Sequence, residues 1–250
     1  MFALTGKTAL VTGGAQGIGK ASAQALANMG ANVVLADINE ARLQETASEI
    51  RAQGGNVFSV VMNVCSNDSI SAAVKAAAEH FGGIDIVVNS AGILGTSSIE
   101  EMDRDAEWNR VLDIDLTGTF FVCQYALPFL KESSAGRIIN IASVSGRNGG
   151  FEGSMSYVAA KGGVVAITRG MARRLAPYKI TVNAVCPGAT ETEMMQGYTQ
   201  ERIDNQIKHI LLGRMGKCEE IAGAVCYLAS DEAAFVTGMM LDINGGGYFG

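Results

Sequence analysis

The chain has 250 residues, 48% of them hydrophobic, and its 25 acidic and 19 basic residues give a formal net charge of −6. This acidic balance, with no Lys/Arg cluster, argues against nucleic acid and anionic membranes as partners. The five cysteines are scattered without C-x-x-C spacing, which favours reduced thiols in a cytoplasmic protein over a disulfide framework. Two distant histidines indicate no metal site, and residues 1–7 lack the apolar segment of a signal peptide.

The first segments predict a strand, a glycine-rich turn, a helix and a second strand. Residues 8–11 are apolar, residues 12–19 (TGGAQGIG) form the turn, residues 20–29 have helical composition, and residues 32–36 (NVVLA) suit a strand. Such a βαβ unit directs backbone N–H groups at a helix N-terminus, which favours a pyrophosphate. The spacing G-x-x-x-G-x-G differs from the standard G-x-G-x-x-G fingerprint, and a simple tight turn is the alternative.

Asp37 ends the second predicted strand and favours the nucleotide interpretation. An acidic side chain at this point accepts hydrogen bonds from a ribose 2′-OH and repels a 2′-phosphate. Neither Gln16 nor Ile38 supplies a compensating positive charge. The sequence therefore predicts NAD as the cofactor in preference to NADP.

Helices and strands continue to alternate up to the C-terminus. Predicted helices cover 39–53, 67–81, 108–130, 157–175 and 219–229, and predicted strands cover 57–62, 84–88, 137–142, 180–186 and 239–243. No linker, repeat or compositional break interrupts the chain, which indicates a single domain over residues 1–250. The alternation predicts an α/β fold, a Rossmann-type doubly wound parallel sheet of about seven strands with helices on both faces.

Residues suited to ligand binding follow the predicted strands. In parallel sheets of this kind, ligands lie at the carboxyl ends of the strands. The residues at those ends are Gly13, Asp37, Asn89, Ser143 and Pro187. Their shared location predicts one composite site.

The stretch 143–161 (SVSGRNGGFEGSMSYVAAK) contains a serine, a glycine-rich loop, and Tyr157 and Lys161 on a predicted helix. Residues four apart share a helix face, so the phenol and the ammonium can meet beside Ser143. A free phenol has a pKa of about 10, and a nearby cation lowers it. A tyrosine tuned in this way can pass a proton to or from an alcohol oxygen. Taken alone, Y-x-x-x-K also fits an unrelated surface pair.

Over essentially its whole length, the chain resembles the short-chain dehydrogenase/reductase family. The matching segments are TGGAQGIG at 12–19, NSAG at 89–92, the serine of IASVSG, YVAAK at 157–161 and CPGATET at 186–192. The resemblance implies hydride transfer between a nicotinamide ring and a secondary alcohol or ketone. It also implies that Ser143 orients the substrate oxygen, that Tyr157 is the acid/base, and that Lys161 binds the nicotinamide ribose and lowers the tyrosine pKa.

The cofactor-binding residues expected from the turn, from Asp37 and from the resemblance are distributed along most of the chain. They are Gly13, Gln16, Gly17, Ile18, Gly19, Asp37, Ile38, Asn63, Val64, Asn89, Ala91, Gly92, Tyr157, Lys161, Pro187, Gly188, Thr190 and Thr192. Asn63 and Val64 stand where the family often has Asp-Val beside the adenine, and an amide oxygen can still accept the adenine hydrogen bond.

Asp115 departs from the family pattern, which usually has asparagine in a proton relay running from the lysine to solvent. If the backbone carbonyl alone holds the relay water, the acidic replacement leaves the relay intact. If the carboxylate lies near Lys161, it shifts the pKa values of the lysine and the tyrosine. A helix-packing role without function is the third possibility. Asp115 is therefore a candidate catalytic residue.

A second departure concerns the spacing between serine and tyrosine. Ser143 and Tyr157 are 14 positions apart, about one more than in many family members. Ser145 is therefore a minor rival to Ser143 as the serine that orients the substrate.

Residues 189–213 correspond to the variable substrate lid of the family, with a solvated loop face as the alternative. Family reductases that act on acyl-carrier protein tend to carry basic residues before the fifth and sixth strands, where this chain has 133–134 (SS) and 178–179 (YK). We therefore expect a polyol, sugar, hydroxysteroid or other secondary alcohol as the small-molecule substrate. An NADH-dependent 3-oxoacyl reductase and a non-catalytic nucleotide-binding protein are the alternatives.

The surplus of apolar residues on two predicted helices suggests self-association. The helices 108–130 and 164–175 carry more apolar surface than one sheet face needs, and Tyr248 and Phe249 lie in the C-terminal tail. In the family that the chain resembles, the corresponding helices pair across a twofold axis and the C-terminal tail can pack at a second one, so the resemblance implies a homotetramer of dihedral symmetry.

Overall fold

The computed structural model describes residues 2–150 and 153–250. Within these residues, seven strands form one parallel sheet in the order β3-β2-β1-β4-β5-β6-β7. The strands are β1 (Thr8–Thr12), β2 (Asn32–Asp37), β3 (Val57–Val61), β4 (Ile86–Asn89), β5 (Arg137–Ile141), β6 (Thr181–Pro187) and β7 (Met240–Ile243). The predicted Rossmann-type doubly wound sheet is confirmed.

The described helices cover both faces of this sheet. The α-helices are α1 (Gly17–Asn28), α2 (Glu40–Ala52), α3 (Asn67–Phe81), α4 (Arg110–Leu112), α5 (Thr119–Glu132), α6 (Ser145–Asn148), α7 (Met155–Leu175), α8 (Gln200–Ile207) and α9 (Cys218–Ala229). Two π-helical segments, Arg104–Asn109 and Asp113–Gly118, flank α4, so the chain is helical from 104 to 132. The helix predicted over 108–130 is therefore present and longer at both ends.

Two of the helices had no counterpart in the sequence prediction. α6 spans four residues and ends at Gly149, whose φ of 88° is left-handed, so it is too short to give a periodic pattern. α8 lies in the lid and has no buried residue, because its sequence QERIDNQI is mostly polar. Its N-cap is Thr199, whose side chain accepts a hydrogen bond from the Arg202 backbone N–H.

The core consists of two main apolar layers, one on each face of the sheet. One layer contains Leu26 of α1 together with Val225 and Leu228 of α9, all with no exposed surface. The other contains Ile70 of α3 and Leu130 of α5. Each fully buried aliphatic side chain contributes roughly 1.5–3 kcal/mol of transfer free energy. Both faces of the strands are covered, which explains why the strands are continuous apolar runs.

None of the helices in the described ranges combines the length and the apolar character that crossing a membrane requires.

Candidate active site

A cavity of about 810 Å³ lies at the carboxyl ends of the strands. Its walls come from the segments after β1, β2, β3, β4, β5 and β6 and from the lid. The predicted site residues that line it are Gly13, Gln16, Gly17, Ile18, Gly19, Asp37, Ile38, Asn63, Val64, Ala91, Gly92, Ser143, Tyr157, Lys161, Pro187, Gly188, Thr190 and Thr192. The structure therefore brings these residues together around one cavity.

Asn89 and Asp115 are the two predicted site residues that do not line this cavity. The Asn89 side chain is buried beneath it and donates to Asn140 Oδ1 at 2.9 Å and to Cys123 Sγ at 3.1 Å. Asn89 therefore braces β4 against its neighbours instead of presenting its amide to a ligand. Asp115 lies behind Lys161, as described below.

The glycine-rich turn packs so closely that two of its positions exclude a side chain. Gly13 has a φ of 63°, and a Cβ there would lie 2.8 Å from the backbone of Ala91. A Cβ on Gly19 would lie 2.1 Å from the Gly13 carbonyl oxygen. The first turn of α1 has no side-chain cap and no acidic residue. Its N–H groups are therefore available for an anion such as a pyrophosphate.

Asp37 is held at the rim of the cavity by backbone donors. Its Oδ2 accepts from the Ala15 N–H at 3.1 Å, and its Oδ1 accepts from the Asn39 N–H at 2.9 Å. The Arg42 guanidinium reaches the same corner and contacts the side-chain oxygen of Gln16. The sequence analysis, which considered only Gln16 and Ile38 as sources of positive charge, missed this cation. Its signal is an arginine in the first turn of the helix after β2.

Tyr157 and Lys161 lie one turn apart on α7, as predicted. The Lys161 ammonium is 5.6 Å from the centre of the Tyr157 ring. The Ser143 side chain lies close enough to the Tyr157 phenol to lower its pKa, against the larger effect of burial. Ser145 also lines the cavity, but its backbone N–H donates to Ser143 Oγ at 3.1 Å. The geometry therefore favours Ser143 over Ser145 as the partner of Tyr157.

Lys161 forms a buried ion pair with Asp115. The Lys161 ammonium is 3.1 Å from Asp115 Oδ2, and the two side chains are 6% and 0% exposed. Lys161 also donates to the Ile141 carbonyl at 3.1 Å, and Asp115 Oδ1 accepts from the Ile93 N–H at 2.8 Å. A Cβ on Gly92 would lie 2.8 Å from Asp115 Oδ2. A residue without a side chain at position 92 is therefore required for this pair.

Burial is the largest single influence on the pKa of each of these three groups, but it sets the net direction only for Tyr157 and Asp115. Burial raises the pKa of Tyr157 by more than the Lys161 charge lowers it, and the Asp115 charge raises it further. The net rise differs from the predicted lowering, because the sequence analysis considered the cation without the loss of water around the phenol. Burial also raises the pKa of Asp115, although Lys161 opposes it. For Lys161, burial lowers the pKa, but the charges of Asp115 and Tyr157 outweigh it and the net direction is upward.

Glu107 forms a polar cluster that the sequence analysis missed. Its Oε2 accepts from Ser97 Oγ at 2.7 Å and from the backbone N–H groups of Thr96 and Ser97. Its Oε1 accepts from Ser154 Oγ at 2.5 Å and from Ser156 Oγ at 3.0 Å. Burial raises its pKa, but the hydrogen bonds from these serines and backbone groups prevail and lower it to about 2. Glu107 thereby links the segment after β4 to the N-terminus of α7.

The lid borders the cavity with both apolar and polar side chains. Met194, Met195 and Tyr198 line the cavity, and the Arg202 guanidinium lies 3.7 Å from the centre of the Tyr198 ring. The lid is joined to the C-terminal segment by a hydrogen bond from the Leu212 N–H to the Gly245 carbonyl at 3.0 Å. Within the described part of the chain, no three His, Cys, Asp or Glu side chains cluster as metal ligands do.

Comparisons with known proteins agree with this geometry. The family model described as enoyl-(acyl carrier protein) reductase matches residues 13–247. The chain is 40% identical over 245 residues to the 3-oxoacyl-(acyl-carrier-protein) reductase FabG of Vibrio cholerae, covering 98% of each chain. It is 42% identical over 246 residues to the trans-4-hydroxycyclohexanecarboxylate dehydrogenase of Sinomonas cyclohexanicum, covering 96% of this chain and 92% of that one. A short-chain type dehydrogenase/reductase from Mycobacterium marinum superposes with a TM-score of 0.95 at 35% identity, covering 100% of this chain and 98% of that one.

Proposed function

This chain belongs to the short-chain dehydrogenase/reductase family of nicotinamide-dependent oxidoreductases, and from that premise we propose that it interconverts a secondary alcohol and its ketone with NAD(H), using Tyr157 as the general acid and base. One observation carries the proposal. Ser143, Tyr157 and Lys161 line the same cavity as the glycine-rich turn and Asp37. A proton-transfer group and a dinucleotide-sized groove with an uncapped helix N-terminus are the two components that such a reaction needs.

The residues around the cavity suit a dinucleotide. The turn at 13–19 would hold the pyrophosphate, Asp37 the adenosine ribose, and Asn63 the adenine. Lys161 would hold the nicotinamide ribose, and residues 187–192 the nicotinamide. The bound nicotinamide supplies the hydride donor or acceptor. The Asp37 carboxylate favours NAD because a 2′-phosphate beside it would meet a like charge.

The side chains of the site account for the proton transfer. In ketone reduction, the Tyr157 hydroxyl donates its proton to the carbonyl oxygen as hydride reaches the carbon. In alcohol oxidation, the Tyr157 phenolate accepts the alcohol proton. Ser143 hydrogen-bonds the same substrate oxygen, and the Lys161 ammonium stabilises the phenolate.

The first substrate class that we propose is a 3-oxoacyl thioester, reduced to the 3-hydroxyacyl form. Relatives 38–40% identical over nearly the whole chain carry this activity in their names. The surface before β5 and β6 also carries Lys131, a cation outside the positions that the sequence analysis compared with the family. The Lys131 ammonium lies 4.0 Å from the centre of the Tyr178 ring, and Lys179 is adjacent to Tyr178. These two cations favour an acidic carrier protein.

A secondary alcohol without a carrier is the second candidate. The 42% identity to a trans-4-hydroxycyclohexanecarboxylate dehydrogenase favours a small cyclic alcohol, and Met194 and Met195 give the lid an apolar surface that suits it. This candidate keeps the class of substrate expected from the sequence. It differs from the first in needing no surface contact with a carrier.

Steady-state assays with each substrate class test the proposal. We expect NADH-dependent reduction of acetoacetyl thioesters, at a higher kcat/KM than that of 4-oxocyclohexanecarboxylate. The opposite order would favour the second candidate. Turnover of neither class, nor of a wider panel of secondary alcohols and ketones, would contradict the enzyme assignment.

We also propose that the protein is a homotetramer. Phe120 of α5 is 41% exposed, Phe249 of the C-terminal segment is 78% exposed, and Phe235 is fully exposed. Aromatic side chains left in solvent favour subunit interfaces. Light scattering at micromolar concentration measures the mass, and a monomeric mass would contradict the tetramer.

A further inference from the structure

We propose that Asp115 is a positioning residue that acts through Lys161, because its carboxylate competes with the Tyr157 phenolate for the single buried ammonium. The inference rests on the proposed function of Tyr157 as acid and base, and it adds a control on the pH range of each reaction direction. It goes beyond the family role of this position, which is carried by the backbone and by an uncharged side chain.

The contacts of Lys161 show how its charge is divided. An ammonium has three N–H donors. One donates to the Ile141 carbonyl at 3.1 Å, and the ammonium forms an ion pair with Asp115 Oδ2 at 3.1 Å. The positive charge of Lys161 is therefore shared between Asp115 and the cavity side, where Tyr157 lies and a nucleotide ribose would lie. The ion pair with Asp115 thus reduces the electrostatic stabilisation that Lys161 gives the Tyr157 phenolate, which an uncharged residue at position 115 would not do.

The position of the Asp115 carboxylate is fixed by the surrounding backbone. Its other oxygen accepts from the Ile93 N–H at 2.8 Å, and the missing side chain of Gly92 leaves room for the pair. Asp115 is fully buried, so solvent screens its charge far less than that of a surface carboxylate.

The remaining ionisable groups facing this cluster are few among the described residues. Electrostatic interactions connect Tyr198 of the lid with Tyr157, Cys186 of β6 with Lys161, and Cys65 after β3 with Asp115. Burial raises the pKa of Cys65, and it raises the pKa of Cys186 to about 12, so neither thiol charges at neutral pH.

The sign of the effect follows from the net charge of the cluster. With an ionised Asp115, protonated Lys161 and neutral Tyr157, the charge is zero, and loss of a proton leaves a net negative charge in a buried site. With an uncharged residue at 115, the same cluster is positive and releases a proton more readily, whichever member of the Tyr157–Lys161 pair loses it. Asp115 therefore keeps the phenol protonated to higher pH. Reduction needs the protonated phenol, so its rate is maintained to higher pH. Oxidation needs the phenolate, so its rate begins to rise only at higher pH.

The test is the pH profile of Asp115→Asn in both directions. We expect the rising limb of oxidation and the falling limb of reduction to move together to lower pH. The oxidation rate at pH 7 should rise on the order of tenfold, as expected for loss of one neighbouring charge. Asp113→Asn is the matched control, since Asp113 is an exposed acid in the same π-helical segment. Its limbs should stay where they are in the wild type.

A second readout does not depend on turnover. The absorbance of the Tyr157 phenolate is titrated in wild type and Asp115→Asn, with Tyr157→Phe in each background as the blank. We expect the midpoint of this titration to lie at lower pH in Asp115→Asn than in the wild type. Asp115→Ser, with a smaller uncharged side chain, should give the same shift, so the test still stands if one of the two variants misfolds. Unmoved or upward-moved midpoints would overturn the inference. If the wild-type enzyme turned over no substrate, that result would contradict the proposed function, whereas the phenolate titration could still be interpreted.

Discussion

The adenosine end and the catalytic end of the cavity handle charge in different ways. At the adenosine end, the Asp37 carboxylate is half-buried, and its two backbone donors, Ala15 and Asn39, lie in the segments that follow β1 and β2. At the catalytic end, Asp115 has no exposed surface and pairs with a lysine 46 residues further along the chain. Solvent screens the first charge and not the second. Substitutions at the adenosine end should therefore change affinity moderately, and those at the catalytic end should change rates strongly.

The largest expected effect comes from removing the phenol hydroxyl. Tyr157→Phe should lower kcat by about 10²- to 10⁴-fold, the range for loss of a general acid and base. The dissociation constant of NADH, measured by fluorescence titration, should change little, because the aromatic ring remains in place. A variant that retains wild-type kcat would show that proton transfer does not run through Tyr157.

Comparing the two serines of the catalytic loop sharpens the assignment of Ser143. Ser143→Ala should lower kcat by about 10²-fold, because a donor to the developing oxyanion is lost. Ser145→Ala should stay within about twofold, because Ser145 supplies its backbone N–H to Ser143 and the alanine variant keeps that group. Steady-state kinetics under saturating cofactor separates the two. A larger effect at Ser145 would reverse the assignment.

Substitution of Glu107 tests whether the catalytic end depends on the hydrogen bonds that join the segment after β4 to the N-terminus of α7. Glu107→Ala leaves the hydroxyls of Ser97, Ser154 and Ser156 without their carboxylate, and should lower the free energy of unfolding by about 2–3 kcal/mol. Displacement of the α7 N-terminus should also lower kcat by about tenfold. Glu107→Gln should recover part of both losses. Urea denaturation and kinetics measure them, with the exposed Glu101→Ala as control.

The pH dependence of the Glu107 contribution has a definite sign. Hydrogen bonds in the folded protein lower the pKa of Glu107 from 4.5 to about 2. Its stabilisation is therefore fully present above pH 4.5 and is lost as the pH falls towards 2. The difference in unfolding free energy between wild type and Glu107→Gln should shrink over this interval. A constant difference from pH 7 to pH 2 would show that the charge of Glu107 does not contribute.

The features that could be predicted from the sequence are those that neighbouring residues determine, and the features that were missed depend on the whole fold. The strands, the βαβ unit and Asp37 are local patterns, and the spacing of Tyr157 and Lys161 is one helical turn, so each was accessible from neighbouring residues. The Glu107 cluster joins three separate segments and leaves no local signal. The direction of the Tyr157 pKa depends on burial, which is a property of the whole fold. α8 was missed because a helix that buries nothing has no apolar stripe.

At the adenosine end, Asp37 should set the preference between cofactors. We expect NADH to bind more tightly than NADPH by about 2 kcal/mol, because the 2′-phosphate beside the Asp37 carboxylate loses water without gaining a partner. Asp37→Ser should remove most of this difference. Dissociation constants for both cofactors, obtained by titration in both proteins, provide the test. Equal constants in the wild type would contradict the predicted preference for NAD.

Arg42 should produce the smallest effect and shows what a screened cation can contribute. Its side chain is exposed and contacts Gln16, at the corner that Asp37 occupies. In the wild type, Arg42→Ala should change NADH affinity by less than about twofold, since an exposed charge contributes roughly 0–1 kcal/mol. In the Asp37→Ser background, the same substitution should weaken the binding of NADPH by about 1 kcal/mol, because it removes the cation expected to contact the 2′-phosphate. This loss should shrink in 0.5 M salt, as expected of a solvent-screened contact. If Arg42→Ala changed the NADPH affinity equally in both backgrounds, Asp37 and Arg42 would act independently. The carboxylate of Asp37 would then not offset the charge of Arg42.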